Sequence, residues 1–231
     1  MPLEIIGHRG APREYPENTL PAFQRALELG ADGIELDVHV SRDGVPVVHH
    51  DPSVAVPHSG ATAARAVLSE LTFGEIARLA DRGSVEVPTL ASVLDLAEGR
   101  GKVYVELKGA GTEAPVARLL AGREHWTAVH AFDHRAPKRA RALCPALPAG
   151  ILLQSYLVDT AAALASAGAS DVWQWHEYID DALVRHVHAA GGRVIAWTVN
   201  DPAVARSLSA LGVDAICTDL PAEIREAVAQ R

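Results

Sequence analysis

The feature that most constrains the fold is a repeated alternation between short β-branched runs and Ala- and Leu-rich amphipathic runs along the 231-residue chain. Such alternation predicts an α/β protein, with parallel strands joined by helical crossovers. The predicted parallel strands are 3–7, 33–40, 103–107, 127–132, 150–154, 171–175, 193–199 and 215–218. A further run, 45–49, is interpreted as a hairpin partner of the second strand. Because eight parallel strands close a barrel, the sequence predicts a (β/α)8 TIM barrel.

The predicted helices have suitable residues at their ends. They are 20–29, 73–79, 90–98, 114–120, 137–143, 160–167, 181–189, 204–211 and 222–230. Asn18 or Thr19 can accept a hydrogen bond from the free N–H groups that open the first helix. Four of the runs are followed by a glycine, the residue that most readily adopts the left-handed conformation of a helix end: Gly30, Gly168, Gly191 and Gly212.

The whole chain, 1–231, is expected to form a single domain. The alternation is interrupted after the second strand, where residues 51–70 are rich in turn-forming residues such as Pro52, Pro57 and Gly60. We therefore expect a small insertion at about 51–87. The alternative architecture is an open doubly wound sheet, which is disfavoured because no Gly-rich phosphate-binding motif follows any predicted strand.

Composition and charge exclude several classes of protein. Hydrophobic residues make up 48% of the chain and charged residues 22%, which is typical of a globular protein and argues against disorder. The net charge of −8 argues against nucleic-acid binding, which depends on clustered Lys and Arg. No uncharged stretch reaches membrane-spanning length, so no stable membrane insertion is expected.

The cysteines and the start of the chain bear on its location. Cys144 and Cys217 have no CxxC spacing, and two unpaired thiols are typical of a reducing compartment. The first residues do not resemble an export signal. We therefore expect a cytoplasmic protein; the sequence indicates no particular oligomeric partner.

Charged side chains are concentrated where the second and third predicted parallel strands end. Glu35 and Asp37 are two residues apart, as are Glu106 and Lys108, so each pair lies on one side of its strand while apolar residues lie on the other. Apolar residues suit the helix-facing side. The charged pairs should therefore face the barrel interior at its carboxyl-terminal rim, where the active sites of such barrels form.

Three carboxylates on neighbouring strands repel one another unless they are protonated or share a cation. Glu35, Asp37 and Glu106 offer only oxygen ligands, a donor set that favours Mg²⁺ or Ca²⁺ over Zn²⁺. We therefore predict one divalent cation at this rim. The alternative is a salt-bridge network of Glu106 with Lys108 and Arg9 that performs no chemistry.

Two histidines are candidates for acid–base catalysis beside the carboxylates. His8 ends the first strand, and either His49 or His50 ends the hairpin run; strand alternation does not decide between these two, although Asp51 is placed to orient His50. Nothing in the sequence ties the remaining histidines to the carboxylates, and they are interpreted as structural or solvated: His39, His58, His125, His130, His134, His176, His186 and His188.

The same rim carries two cations, Arg9 and Lys108, which indicate an anionic substrate such as a phosphate. Paired carboxylates also occur in glycoside hydrolases. However, residues i and i+2 of one strand are about 6–7 Å apart at the backbone and share one wall. A glycosidase needs its two carboxyl groups on opposite sides of the scissile bond, so metal ligation suits this spacing better.

These residues lie in motifs that resemble those of the glycerophosphodiester phosphodiesterase family. The motifs cover essentially the whole chain in order: HRG at 8–10, PENT at 16–19, GIELDV at 33–38, HD at 50–51, PTL at 88–90, VELK at 105–108, WTVN at 197–200 and GVDAICTD at 212–219. Each motif alone is weak evidence for the resemblance, but the motifs together are highly specific for this family.

The resemblance implies a (β/α)8 barrel with a small insertion after the second strand, and hydrolysis of a glycerophosphodiester to glycerol 3-phosphate and an alcohol. One histidine would deprotonate the nucleophile, which is water or the substrate's own hydroxyl, and the other would protonate the leaving alkoxide. The matching positions are His8 and His50 for catalysis, Glu35, Asp37 and Glu106 for the metal, Arg9 and Lys108 for phosphate, and Glu17 and Asn18 at the edge of the site.

The sequence departs from the family pattern at 52–60, where an Arg-Thr-Thr-like segment is common. That segment usually shapes the pocket for the alcohol, so the departure bears on substrate preference and not on the metal centre. Trp197, with Trp173 or Trp175, is expected to line the glycerol or alcohol pocket, although packing against helices is an equal alternative for Trp173.

Two other functions are consistent with the motifs. A related barrel could cleave phospholipid head groups, but the acidic charge and the lack of a basic amphipathic segment disfavour action at a membrane. A barrel could also bind a phosphorylated ligand without catalysis, since fold alone does not confer function. The presence of every catalytic and metal-binding residue type argues against that alternative.

Overall fold

The computed structural model describes residues 3–56, 64–80 and 86–229. Its strands are β1 (Glu4–His8), β2 (Gly33–Val40), β3 (Pro46–Val48), β4 (Ser53–Val56), β5 (Ala64–Val67), β6 (Lys102–Leu107), β7 (Thr127–Ala131), β8 (Ala149–Leu153), β9 (Asp171–Trp175), β10 (Arg193–Trp197) and β11 (Ala215–Thr218). Its α-helices are α1 (Leu20–Glu28), α2 (Phe73–Ala80), α3 (Leu90–Ala97), α4 (Glu113–Leu120), α5 (Arg135–Leu143), α6 (Thr160–Ala167), α7 (Asp181–Ala189), α8 (Pro202–Leu211) and α9 (Pro221–Ala229). Short 3₁₀ turns lie at Leu68–Glu70 and His176–Tyr178.

Within the described residues, eight parallel strands form a closed barrel. Their order is β1, β2, β6, β7, β8, β9, β10 and β11, and β1 pairs with both β2 and β11, which closes the sheet. The short strand β3 pairs antiparallel with β2, with Val48 opposite Val38. The predicted (β/α)8 barrel and the hairpin run beside the second strand are therefore confirmed, and the open-sheet alternative is wrong.

The barrel has an outer and an inner apolar layer because successive side chains of a strand point to opposite faces. Leu36, Val38 and Val105 belong to the outer layer and pack with helix residues such as Phe23. The inner cluster fills the barrel: Ile6, Tyr104, Ala128, Leu152, Trp173, Ile195, Ala215 and Cys217. The charged residues that alternate with the outer layer on β2 and β6 therefore lie on the interior side, as predicted.

A buried polar network closes the amino-terminal end of the barrel. The Tyr104 hydroxyl donates to Glu4 Oε1 at 2.6 Å, and Arg193 pairs with Glu4 Oε2 at 2.7 Å and with Asp171 Oδ2 at 3.5 Å. Loss of one partner would leave a buried charge unpaired, which is strongly destabilising. This network therefore has a structural role, at the end of the barrel opposite to the charged rim.

The helix ends follow the predictions, and one ambiguity is resolved. Thr19 caps α1, because its Oγ1 accepts a hydrogen bond from Ala22 N at 3.4 Å. Asn18 turns away from the helix and towards β2, as described below. The four glycines predicted to end helices all have positive φ angles: Gly30 (87°), Gly168 (64°), Gly191 (75°) and Gly212 (88°).

We predict that Thr19→Ala lowers the free energy of unfolding by about 1 kcal/mol, the usual contribution of a helix cap. The variant loses the capping oxygen and also the hydroxyl that donates to Pro16 O at 2.6 Å. Urea denaturation followed by circular dichroism measures the change. Thr19→Ser, which keeps the hydroxyl, is the matched control and should remain close to the wild type. Equal losses in both variants would contradict the capping role.

The segment after β3 is more regular than its turn-rich sequence indicates. The strands β4 and β5 form an antiparallel hairpin, with Val54 opposite Ala66. Val54 packs into a small apolar cluster with Val47, Leu68 and Ile76, which gives the hairpin a buried face. Four-residue strands carry too little sequence pattern to be recognised without that burial. Residues 57–63, which include Pro57, His58 and Gly60, lie outside the described ranges.

In the portions of the chain that the structure describes, no helix combines sufficient length and apolar character to cross a membrane.

Candidate active site

The carboxyl-terminal ends of β1, β2 and β6 bring the predicted site residues together. His8 at the end of β1 is the register partner of Glu35 on β2. Asp37, two residues further along β2, is the register partner of Glu106 on β6. All three carboxylates are buried. Three adjacent strands therefore place one histidine and three acidic side chains at one point of the rim.

The backbone at this rim is strained in two places. Arg9 and Asn18 have φ angles of 54° and 58°, a left-handed conformation that is uncommon for residues other than glycine. Asn18 N donates to Arg9 O at 3.0 Å, which ties the two together. Gly10, with φ of 91°, approaches α1 so closely that a Cβ would lie 2.5 Å from the carbonyl carbon of Ala22. Such strain is typical of functional sites, where it fixes side-chain direction.

Asp37 is the most heavily partnered carboxylate of the rim and is only 1% exposed. It pairs with Arg9 Nε at 3.2 Å and with Lys108 Nζ at 3.3 Å, and it accepts a hydrogen bond from Asn18 Nδ2 at 2.8 Å. Burial raises the pKa of Asp37, but Lys108, Arg9 and Asn18 together lower it below its ordinary value. Asp37 is therefore ionised and rigidly held.

Glu106 lies in a different electrostatic environment. Burial and the neighbouring charge of Asp37 raise its pKa above the ordinary value, even though Lys108 Nζ lies 3.0 Å from its Oε1. Three carboxylates, Glu35, Asp37 and Glu106, share two neighbouring cations, Arg9 and Lys108, so without a bound cation Glu106 is driven towards its neutral form. A bound cation would remove the repulsion that raises the pKa of Glu106.

The side chains of this rim fit a divalent cation. One ligand atom each from Glu35, Glu106 and His130 lie within 4.8 Å of one another. Arg9 N donates to Glu35 Oε2 at 3.3 Å and fixes that carboxylate. The salt-bridge network predicted as an alternative is present in part: Lys108 pairs with Glu106 and Asp37, whereas Arg9 pairs with Asp37 and not with Glu106. These salt bridges do not include Glu35, which leaves that carboxylate available to an ion.

His8 is oriented by a carboxylate on its Nδ1 atom. Its Nδ1–H donates to Asp219 Oδ1 at 2.7 Å, and Asn200 Nδ2 holds the other carboxylate oxygen at 2.7 Å. Burial lowers the pKa of His8, but the hydrogen bond to Asp219 and the charge of Glu35 outweigh it, so the pKa is raised. The pairing leaves Nε2 as the ring atom available to a ligand.

His50 has the same arrangement at the hairpin. Its Nδ1–H donates to Asp51 Oδ1 at 3.0 Å, which again leaves Nε2 available. His39 Nε2–H donates to the carbonyl oxygen of His50 at 3.1 Å and holds the backbone at this position.

The two remaining predicted positions lie around this centre. Glu17 Oε1 accepts a hydrogen bond from Arg9 Nη1 at 2.9 Å, so its contact is with the arginine. Trp197 ends β10 and makes edge-to-face contacts with Trp175 and Phe132, at centroid distances of 5.2 and 5.7 Å. These rings form an aromatic wall on the rim. Trp173 instead lies in the barrel interior, and neither helix packing nor the rim describes its position.

Sequence reasoning missed three residues of the site. In the sequence, Asp219 and Asn200 stand in motifs without an individual role, and nothing ties His130 to the carboxylates. His130 is the register partner of Glu106 on the next strand. The signal that could have identified it is an imidazole between Val129 and Ala131 in a fully buried strand.

The chain was compared with known proteins. Residues 8–223 match the sequence model of the glycerophosphoryl diester phosphodiesterase family. A relative from Caldanaerobacter subterraneus subsp. tengcongensis, named glycerophosphodiester phosphodiesterase, is 31% identical over 96% of this chain and 96% of its own length. A protein crystal structure from Silicibacter pomeroyi superposes on this structure with a TM-score of 0.87 at 29% sequence identity. The alignment covers 98% of this chain and 93% of that one.

A further structural neighbour contains a ligand. It is an Oleispira antarctica phosphodiesterase in complex with the product sn-glycerol-3-phosphate, with a TM-score of 0.84 at 25% identity, covering 98% of this chain and 97% of that one. The family match spans most of the chain, and the curated relative exceeds 30% identity over nearly the full length. The chain belongs to the glycerophosphoryl diester phosphodiesterase family.

Proposed function

We propose that this protein hydrolyses glycerophosphodiesters to glycerol 3-phosphate and an alcohol, with a divalent cation and two histidines. The observation that carries the proposal is the convergence of His8 with Glu35, Asp37 and Glu106 at one point of the barrel rim. The sn-glycerol-3-phosphate in the structure of the Oleispira antarctica relative supports the same product class.

The cation would be held by Glu35, Asp37 and Glu106, whose oxygen donors favour Mg²⁺ or Ca²⁺. When bound, such an ion supplies Lewis-acid stabilisation of the charge that develops on the phosphate oxygens. Arg9 N–H would keep Glu35 in place through its 3.3 Å hydrogen bond. Asn18 would do the same for Asp37.

The phosphate would be bound by Arg9 and Lys108, which lie on the two sides of Asp37. Both cations are preorganised by their carboxylate partners, so they lose little freedom when an anion binds. Glu17 would position Arg9 through its ion pair. Trp197 and the aromatic wall would contact the carbon atoms of the glycerol or of the alcohol.

His8 and His50 would transfer the protons. With Nδ1–H donated to a carboxylate, each neutral ring presents Nε2 as a base, and each protonated ring presents Nε2–H as an acid. One histidine would take the proton of the attacking hydroxyl, and the other would give a proton to the leaving alkoxide. The pairing on Nδ1 fixes both rings for this exchange, as in other oriented catalytic histidines.

The direct experiment measures release of glycerol 3-phosphate from glycerophosphoethanolamine and glycerophosphocholine with added Mg²⁺ or Ca²⁺. We expect turnover that stops on chelation with EDTA and returns when the cation is restored. Turnover that survives thorough chelation would contradict the cation's role. Faster cleavage of phospholipid vesicles than of soluble diesters would favour the head-group phospholipase alternative, and binding without turnover would favour the non-catalytic one.

The pairing of His8 with Asp219 gives a second prediction. Because Asp219 stabilises the protonated ring, Asp219→Asn should lower the pKa of His8 and move the corresponding limb of the kcat/KM profile to lower pH. Turnover should fall about 10- to 100-fold, the usual cost of losing an orienting partner. NMR titration of His8 checks the pKa. Asp214→Asn, which removes the carboxylate charge beside the exposed His188 and keeps an acceptor for Val194 N, is the control. An unchanged His8 pKa would contradict the prediction.

We also propose that the protein acts in a reducing compartment such as the cytoplasm, on a small-molecule substrate. Cys144 and Cys217 are both buried free thiols, which supports that location. Fractionation of cells that produce the full-length protein, followed by immunoblotting, tests it. Recovery with secreted or membrane fractions would contradict the proposal.

A further inference from the structure

The mechanism proposed above leaves His130 of β7 unused, although it lies beside the carboxylates. Its side chain is buried, with the residue 1% exposed, and the ring stacks on Trp173 at a centroid distance of 4.0 Å and an interplanar angle of 7°. Within the described residues, Nδ1 has no hydrogen-bond partner. An apolar side chain would fill the barrel interior without the cost of an unpaired ring nitrogen, so the presence of an imidazole here points to a role beyond packing.

The other ring nitrogen faces the carboxylates. His130 Nε2 lies 3.7 Å from Glu35 Oε1, which is beyond hydrogen-bond distance. The ligand atoms of His130, Glu35 and Glu106 lie within 4.8 Å of one another. Two donors that share a first-row ion, each about 2.1 Å from it, are about 3–3.5 Å apart. The His130–Glu35 distance is within a few tenths of an ångström of this spacing, and the Glu106 oxygen reaches it with a shift of about 1 Å.

We propose that His130 is an additional ligand of the cation, so that the centre is a mixed nitrogen and oxygen site. This inference rests on the cation site of the proposed function and concerns its ion preference. Carboxylates alone favour Mg²⁺ or Ca²⁺, whereas an imidazole ligand favours first-row transition ions. With His130, the site binds Mn²⁺ or Co²⁺ more tightly than Mg²⁺.

The stacking on Trp173 supports this role. A ligand must be held in a fixed orientation, and the parallel contact with the indole fixes the plane of the imidazole. A rival role is a direct hydrogen bond that orients Glu35. That role needs no ion at the nitrogen, and the two are separable by experiment.

The test uses the full-length protein loaded with Mn²⁺ and pulsed EPR, which detects the nitrogen nucleus of a directly bound imidazole. We expect nitrogen modulation in the wild type and in His125→Gln, a control at an exposed histidine, and its loss in His130→Gln. The Mn²⁺ affinity of His130→Gln should fall by at least about tenfold, with a smaller change for Mg²⁺. Modulation that is absent in the wild type or that persists in His130→Gln would overturn the proposal.

A crystal structure of the wild type with Mn²⁺ gives an answer that does not depend on the variant folding. Anomalous scattering should place the ion within about 2.3 Å of a His130 ring nitrogen. An ion bound only by the carboxylates, with glycerol 3-phosphate still released in the activity assay, would overturn the role of His130 and leave the proposed function intact. Absence of any ion at this rim, together with absence of turnover, would instead count against the proposed function itself.

Discussion

Replacing His8 by alanine should reduce the turnover of glycerophosphodiester hydrolysis by about 10²- to 10⁴-fold, the range that positioned acid–base groups contribute. The expectation follows from the fixed ring of His8, whose Nδ1 is bound to Asp219 while Nε2 is free for the reacting oxygen. His50, which is bound to Asp51 in the same way, should behave similarly. Measurement of kcat with saturating substrate and cation gives the result.

The control separates catalysis from folding. His188 is an exposed histidine of α7 that pairs with Asp214 and has no role in the proposed mechanism. His188→Ala should therefore keep wild-type turnover. Circular dichroism should show that the His8 and His50 variants retain the barrel. Wild-type turnover in either variant would remove that histidine from the catalytic mechanism.

Glu35→Gln should lower kcat/KM by about 10³-fold, which corresponds to about 4 kcal/mol of transition-state stabilisation. Glutamine has nearly the same shape and can still accept the hydrogen bond from Arg9 N, so the change removes mainly the charge that would bind the cation. Calorimetric titration with Mg²⁺ should show weaker binding in proportion.

A matched variant shows whether the loss of kcat/KM and of cation affinity is specific to a carboxylate of this site. Glu98 is an exposed glutamate that follows α3, and Glu98→Gln should leave both cation affinity and kcat/KM unchanged. Undiminished Mg²⁺ affinity in Glu35→Gln would mean that the cation binds elsewhere. An equal loss in both variants would point to net charge rather than to ligation.

The barrel and the position of its rim were predictable because they depend on patterns within single strands. Alternation places Glu35 and Asp37 on one face and Leu36 and Val38 on the other, and the structure has that arrangement. The eight strand-like runs predicted the closed sheet for the same reason. Local sequence also predicted the left-handed glycines at the helix ends.

Contacts between distant strands were not predictable in the same way. The pairing of His8 with Asp219 joins residues 211 positions apart, and only the closure of β1 on β11 brings them together. His130 needs the register of β7 against β6 to lie beside Glu106. Asn18 was expected as a possible helix cap, but its positive φ directs it to Asp37 instead.

The most direct test of the account is a crystal structure of the protein with Ca²⁺ and glycerol 3-phosphate. The account predicts one ion bound by Glu35, Asp37 and Glu106, with a phosphate oxygen on that ion and the remaining oxygens near Arg9 and Lys108. An ion or a phosphate bound away from this rim, with Asp37 still paired to both cations, would contradict it.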